Sequence, residues 1–160
     1  MVDALQFVAG GKVAVPVDQH VDVLAAPQAV FDAWSTAAGW RAMMDVGGRV
    51  ELAVGGAFEL LFDLDQPPGK QGSEGCKVLC YVPDSMLAFS WNAPPEIPQT
   101  RGFHTWCVVT FEARGDGVTR VRLRHMGFGQ GAAWEETVRY FQRAWGLVLK
   151  ATAAHFGKAS

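Results

Sequence analysis

Four histidines, His20, His104, His125 and His155, are the side chains best suited to moving a proton near neutral pH. None has the spacing of a metal site such as HExxH, and no cysteine or carboxylate pattern stands beside them, so no metal ligand is expected. His125 is singled out by its position at the end of Thr119–His125, where Val121, Leu123 and His125 share one strand parity and should point inward. A buried neutral imidazole bonded to backbone is the simpler role for it, and a general base in a pocket is the other. Arg120, Arg122 and Arg124 occupy the opposite parity. Three arginines in a row suggest phosphate binding, but no glycine-rich cradle accompanies them, so they read as a solvated outer sheet face. Asp63 and Asp65 precede Gln66-Pro67-Pro68 and read as turn residues rather than an acid–base pair. Cys76, Cys80 and Cys107 are odd in number and lack a CxxC pair, which suggests free thiols in a reducing compartment. Cys76 and Cys80 share parity and are expected on one face as small apolar fillers. With no nucleophile elbow, phosphate loop or dinucleotide fingerprint, no catalytic residue and no cofactor is assigned.

The elements that must position these residues are legible from period and punctuation. Residues 13–25 alternate through Val13, Val15, Val17, Val21 and Val23, which predicts a half-buried first strand with Pro16 at an edge or bulge. Pro27 opens a helix with Val30, Phe31 and Trp34 on its apolar stripe, and Gly39 is expected to break it. From Gly47 to His125 glycine and proline clusters separate Val50–Ala53, Phe58–Leu64, Cys76–Val82, Leu87–Trp91, Thr105–Ala113 and Thr119–His125. Short connections imply antiparallel pairing of six to seven strands. Trp134, Val138, Phe141, Trp145, Val148, Thr152 and His155 then recur at alternating steps of four and three. That predicts one continuous helix over residues 134–156, roughly 33 Å long, packed on the sheet.

The chain has 160 residues, 49% hydrophobic and 19% charged, which suits one α+β domain over residues 1–160 and argues against disorder. Its net charge of -2 gives no footprint for nucleic acid. No apolar run is long enough for a membrane span and no signal peptide is visible, so a cytoplasmic location is expected.

Strand, short helices, six further strands and a long terminal helix describe a helix-grip fold, a curved antiparallel sheet around a C-terminal helix. Local motifs run through Ala26-Pro27, Val30-Phe31-Asp32-Ala33-Trp34 and Trp40, then Val54-Gly55-Gly56-Ala57-Phe58 and Gly75-Cys76-Lys77-Val78. They continue at Pro83, Leu87-Ala88-Phe89-Ser90-Trp91, the stretch 119–128, Tyr140-Phe141, Ala144-Trp145 and Leu149. In this order and spacing, over roughly residues 13–157, the chain resembles the START-like (SRPBCC) superfamily, in the branch named for the activator of heat-shock protein 90 ATPase. Thr152 stands where such proteins usually carry leucine, so a looser or slightly polar helix end is expected. Residues 1–11 have no counterpart and form an N-terminal extension. The co-chaperone that names the branch carries a further N-terminal domain for which there is no room here, so chaperone activation is not carried over.

The resemblance implies an internal cavity, because a curved sheet and one helix cannot close fully over each other. Its expected walls are Phe58, Leu60 and Phe62, Phe89 and Trp91, and Phe141 and Trp145, with His125 and His104 as polar groups and Met43 and Met44 near the mouth. Each aromatic taken singly could equally be core packing. Three functions follow. The first is non-catalytic binding of a small hydrophobic molecule; the second is a cyclase- or hydratase-type enzyme using the same pocket, in which His125→Gln would abolish turnover and spare binding. The third is an interaction module or homodimer built on Trp106 and Val108, which point away from Val109 and Phe111.

Overall fold

Residues 15–159 are described by a computed structural model. The first strand, β1 (Val17–Val23), buries Val17 and Val23, while Asp18 and His20 stand exposed on the other face. It is shorter than the 13–25 expected, and the part preceding residue 15 lies outside the described residues. Two helices follow, α1 (Pro27–Trp34) and α2 (Ala37–Met44). The break expected at Gly39 falls instead at Ser35–Thr36, where the Thr36 hydroxyl caps α2 by accepting from the Gly39 N–H at 3.1 Å. Gly39 is needed for a different reason: a Cβ there would lie 2.1 Å from the Ala33 carbonyl oxygen, so only glycine lets the two helices turn this tightly.

The sheet elements are β2 (Gly47–Val50), β3 (Phe58–Leu61), β4 (Val78–Val82), β5 (Met86–Trp91), β6 (Thr105–Gly115) and β7 (Val118–Met126), with the one-turn helix α3 (Pro98–Arg101) between β5 and β6. Five strands form an antiparallel sheet in the order β1-β7-β6-β5-β4, and β2 pairs with β3 separately. Isolated bonds join the two: the Phe58 N–H donates to the Cys76 carbonyl at 2.9 Å, and the Val78 N–H to Gly56 at 2.8 Å. Seven strands are therefore present, bent into two ladders rather than one continuous sheet, and the second lies at Gly47–Val50 instead of the expected Val50–Ala53.

A bulge in β4 overturns one expectation. Val78 pairs with Phe89 but Cys80 with Ala88, so one extra residue is inserted and side-chain parity changes. Cys76 is buried and Cys80 exposed, on opposite faces. Burial pushes the Cys76 thiol up to about 12 and the Cys107 thiol well above its ordinary value, so both are unreactive fillers.

The terminal helix α4 (Ala132–Phe156) runs unbroken through Gly146. Gln19 donates to the Gln142 carbonyl at 2.7 Å and ties β1 to the helix here, and a Cβ at Gly146 would meet the Gln19 side-chain oxygen only at a contact distance of 3.4 Å, so the helix does not require glycine at this point. Phe141, Trp145, Val148, Leu149, Thr152 and Ala153 are buried against the sheet. His155, expected on this stripe, is exposed, and Phe156 packs instead. A straight helix drifts against a strict seven-residue repeat, and three repeats carry His155 off the packed face. Thr152 does not loosen the helix end; it is fully buried and donates to the Val148 carbonyl at 3.0 Å.

On the outer face of the sheet Arg120 and Arg122 form bidentate pairs with Asp22 and Asp18, at 2.6–2.9 Å. These bonds hold both carboxyls below their ordinary value. Two of the three arginines are thus matched by carboxylates of β1. Trp106 lies on the same face, 38% exposed. No helix among the described residues is long and apolar enough to cross a membrane, and none of their side chains cluster as a metal site.

Candidate functional site

Between the middle of α4 and the far ends of β3 and β5 lies a cleft of about 530 Å³, within the range of small-molecule sites. Its apolar surface comes from Trp91 at the end of β5, Phe62 just past β3, Phe141 and Trp145 on α4, and Met44 at the end of α2. Trp91 sits at the centre, with ring centroids 5.2 Å from Trp145 and 6.3 Å from Phe62. Phe62 is 47% exposed, so the cleft is open on one side rather than an enclosed cavity.

The sequence-expected wall divides into two layers. Phe62, Trp91, Phe141 and Trp145 reach the cleft, whereas Phe58, Leu60 and Phe89 are fully or almost fully buried beneath it. Phe58 and Phe89 stack at 4.1 Å and are covered by Trp91 and Trp145, so they support the wall without forming it. Of the two methionines, Met44 lines the cleft and Met43 is in the core. His104 is exposed in the connection that precedes β6, beside the Gly75 turn, and plays no part in the wall. Strand parity does not apply there because the residue precedes the first paired position.

His125 is buried below Trp145 rather than lining the cleft. The Trp145 indole N–H donates to its Nδ1 at 3.0 Å. An indole nitrogen can only donate, so Nδ1 carries the lone pair and the proton is on Nε2. Nε2–H then donates to the Thr105 hydroxyl at 2.6 Å, and that hydroxyl donates to the Trp91 carbonyl at 3.3 Å. The chain is satisfied at every atom and ties both wall tryptophans to the sheet. Burial lowers the His125 pKa to about 3, so the ring is neutral at physiological pH. Its lone pair is occupied and it has no route to a ligand, which removes the general-base role weighed for it.

Several residues were not foreseen. Tyr140, Ala144 and Leu147 form a second stripe on α4 that flanks Phe141, Trp145 and Val148, a spacing that was visible but eclipsed by the expected one. Burial raises the Tyr140 phenol above its ordinary value, helped by the nearby Glu96 carboxylate. Arg101, at the end of α3, organises the polar side. It donates to the carbonyls of Ala93 at 2.5 Å, Gly69 at 2.7 Å and Gly72 at 2.9 Å, and lies 3.5 Å from Glu74. Glu74 in turn accepts from the backbone N–H groups of Gly69, Gln71 and Gly72. Burial alone would raise the Glu74 carboxyl, but these N–H groups outweigh it and hold it below its ordinary value. Arg101 and Glu74 thus fold the 63–74 loop into a fixed wall. Arg101→Leu is expected to cost about 2 kcal/mol, because charge-assisted bonds are lost and Glu74 is left unpaired. Urea unfolding measures the loss, and amide exchange should accelerate selectively at residues 69–72.

With this geometry in view, comparison with known proteins is informative. A family model described as activator of Hsp90 ATPase homolog 1-like protein matches residues 24–157. The chain belongs to this family. It is thereby a START-like protein of the branch that the sequence motifs resemble. Among solved structures, an HSP90 activator from Plasmodium falciparum aligns with a TM-score of 0.66 at 16% identity, covering 89% of this chain and 96% of that one. The Aha1 dimer from Colwellia psychrerythraea aligns at 0.61 with 18% identity, covering 90% and 98%. CalU16 from Micromonospora echinospora aligns at 0.64 with 17% identity, covering 88% and 74%. At such identities these likenesses establish the helix-grip fold alone. No curated protein matches the sequence.

Proposed function

We propose that this protein binds a small hydrophobic molecule in the cleft between α4 and the 63–74 loop, without transforming it. The observation that carries the reading is the wall itself: two tryptophans and two phenylalanines border about 530 Å³ of open space. Of these, Phe62 is half-exposed and gains contact energy by accepting an apolar partner, while Trp91, Phe141 and Trp145 are nearly buried and give the cleft an apolar floor. The open side lets a ligand enter without movement of α4. The enzyme alternative has lost the one base assigned to it, since His125 is sealed and bonded at both nitrogens. The interaction reading retains Trp106 on the outer sheet face, remote in the fold from the cleft; sedimentation of Trp106→Glu beside the unmodified protein tests it as a dimer contact.

Naphthalene serves as a neutral probe of the cleft. Binding should be saturable and should change the emission of Trp91 and Trp145. Phe62→Ala should weaken it about fivefold, the worth of one aromatic contact, with an unaltered melting temperature because Phe62 is half-exposed. Absence of saturable naphthalene binding to the unmodified protein would discard the reading. Native mass spectrometry of the purified protein identifies any ligand that accompanies it.

A further inference from the structure

Within the apolar wall the Asn92 carboxamide and the Tyr140 hydroxyl have no partner among the described residues, and Asn92 is the more deeply buried of the two. Asn92 follows the last residue of β5 and lines the cleft between Trp91 and Ala93. It is only 7% exposed. Its carboxamide makes no hydrogen bond to any described residue, although nearly every other buried polar side chain here is bonded. Nor is it sealed into the core: among the described residues only Trp34 Nε1 and Arg124 Nε are buried completely without a partner. What access the Asn92 amide retains is to the cleft that it lines. A carboxamide that is nearly buried, unbonded within the protein and in reach of a cleft is free to pair with a ligand there.

Resting on the binding reading above, we infer that Asn92 is the polar anchor of the cleft, and that the ligand is a neutral apolar molecule carrying a carboxamide or lactam edge. A carboxamide side chain presents one acceptor and two donors in a plane. An amide edge, with its own donor and acceptor side by side, pairs with both at once. Ketones and ethers, which only accept, satisfy only half of it. The apolar body follows from the wall, where the ring of Trp91 neighbours those of Phe62 and Trp145. Neutrality follows from the charges at the rim. Arg101 is spent on Ala93, Gly69, Gly72 and Glu74, which leaves Lys70 facing Asp63 and Glu96. An anionic ligand would meet an acidic surplus there, and a carboxylate would in addition leave the acceptor oxygen of Asn92 unmatched.

The test compares ligands of one shape. Tryptophan emission is followed as the unmodified protein is titrated with 2-naphthamide, with 2-acetylnaphthalene, which keeps the acceptor and loses the donor, and with naphthalene. The amide should bind about tenfold more tightly than the ketone, the ratio expected when a site's hydrogen-bonding group is left half-paired. The Asn92 side-chain amide protons should shift in NMR spectra on adding 2-naphthamide and stay in place on adding naphthalene. In Asn92→Leu the amide and the ketone should bind equally, with a melting temperature no lower than that of the unmodified protein, because no internal bond is removed. Equal binding of amide and ketone to the unmodified protein, while naphthalene still binds, overturns the anchor and leaves the hydrophobic cleft standing. A preference for the amide that persists in Asn92→Leu likewise overturns it. If none of the three saturates, the cleft reading falls and the anchor with it. Because the ligand comparison on the unmodified protein decides by itself, a poorly folding variant does not block the test.

Discussion

Trp145→Ala is expected to lose about 3–5 kcal/mol of stability, the range for deleting a large buried aromatic side chain. Its ring is 2% exposed and lies within 6.4 Å of Trp34, Phe89, Trp91 and Phe141. Truncation opens a void at the junction of α1, β5 and α4, which two layers of close-packed rings cannot collapse to fill. It also strips the Nδ1 of His125 of its donor. Trp145→Phe separates these effects. The phenyl ring keeps most of the packing but cannot donate, so its loss should be nearer 1–3 kcal/mol, the cost of one unpaired buried acceptor. Chemical denaturation of both variants measures the difference. Because Trp145 also forms part of the cleft wall, naphthalene affinity should fall in both. Unchanged stability of the alanine variant together with unchanged naphthalene affinity would remove Trp145 from the core and the site alike.

Acid should unfold the protein through His125. The folded-state pKa is about 3, against roughly 6.5 in the unfolded chain. Between these values the unfolded chain binds a proton that the folded protein refuses, so stability rises with pH across that window. The contribution is complete above about pH 6.5 and drains away as pH falls toward 3. The slope is about 1.4 kcal/mol per pH unit, which amounts to roughly 2–3 kcal/mol lost between pH 6.5 and 4.5. The carboxyls of Asp18, Asp22 and Glu74, held low by arginines and backbone N–H groups, add their own losses at more acid pH. Urea midpoints measured from pH 7.5 to 4.5 resolve the two. In His125→Gln the profile over this interval should flatten, while overall stability is lower at pH 7 because the Trp145 and Thr105 bonds are disturbed. An unmodified protein whose midpoint is constant from pH 6.5 to 4.5 would contradict a neutral, desolvated imidazole.

The buried tryptophans, the histidine and the cleft are therefore one construction. Thr105 and His125 lie on neighbouring strands, β6 and β7, and together hold Trp145 of α4 over Trp91 of β5. Arg101 and Glu74 hold the opposite wall. The hydrophobic surface is thus kept open by polar bonds behind it, which is how a fold can retain unfilled apolar space without collapsing onto it.

Much of the architecture is a local property of the chain. The alternation of Val121, Leu123 and His125 against three arginines predicts β7 and which of its faces is wet, because strand side chains alternate whatever the strand pairs with. The spacing of Phe141, Trp145, Val148 and Thr152 predicts α4 and its buried face for the equivalent reason. Order and punctuation carry the helix-grip arrangement, and parity correctly turns His125 inward. Tertiary structure alone decided the rest. Periodicity assigns a residue to a face but not to a depth on that face: Phe58, Leu60 and Phe62 share one parity, yet two are core and only the third, at the strand's end, meets the cleft. The bulge that separates Cys76 from Cys80 arises from pairing with β5 and has no signature within β4 itself. The proton position on His125 depends on an indole twenty residues away in sequence, and the loop wall on an arginine about thirty residues from its carbonyls. Asn92 has no periodic signal of its own in the sequence, where it follows Trp91 and precedes Ala93-Pro94-Pro95. Its unpaired amide acquires meaning only from the groups that the fold does not bring to it.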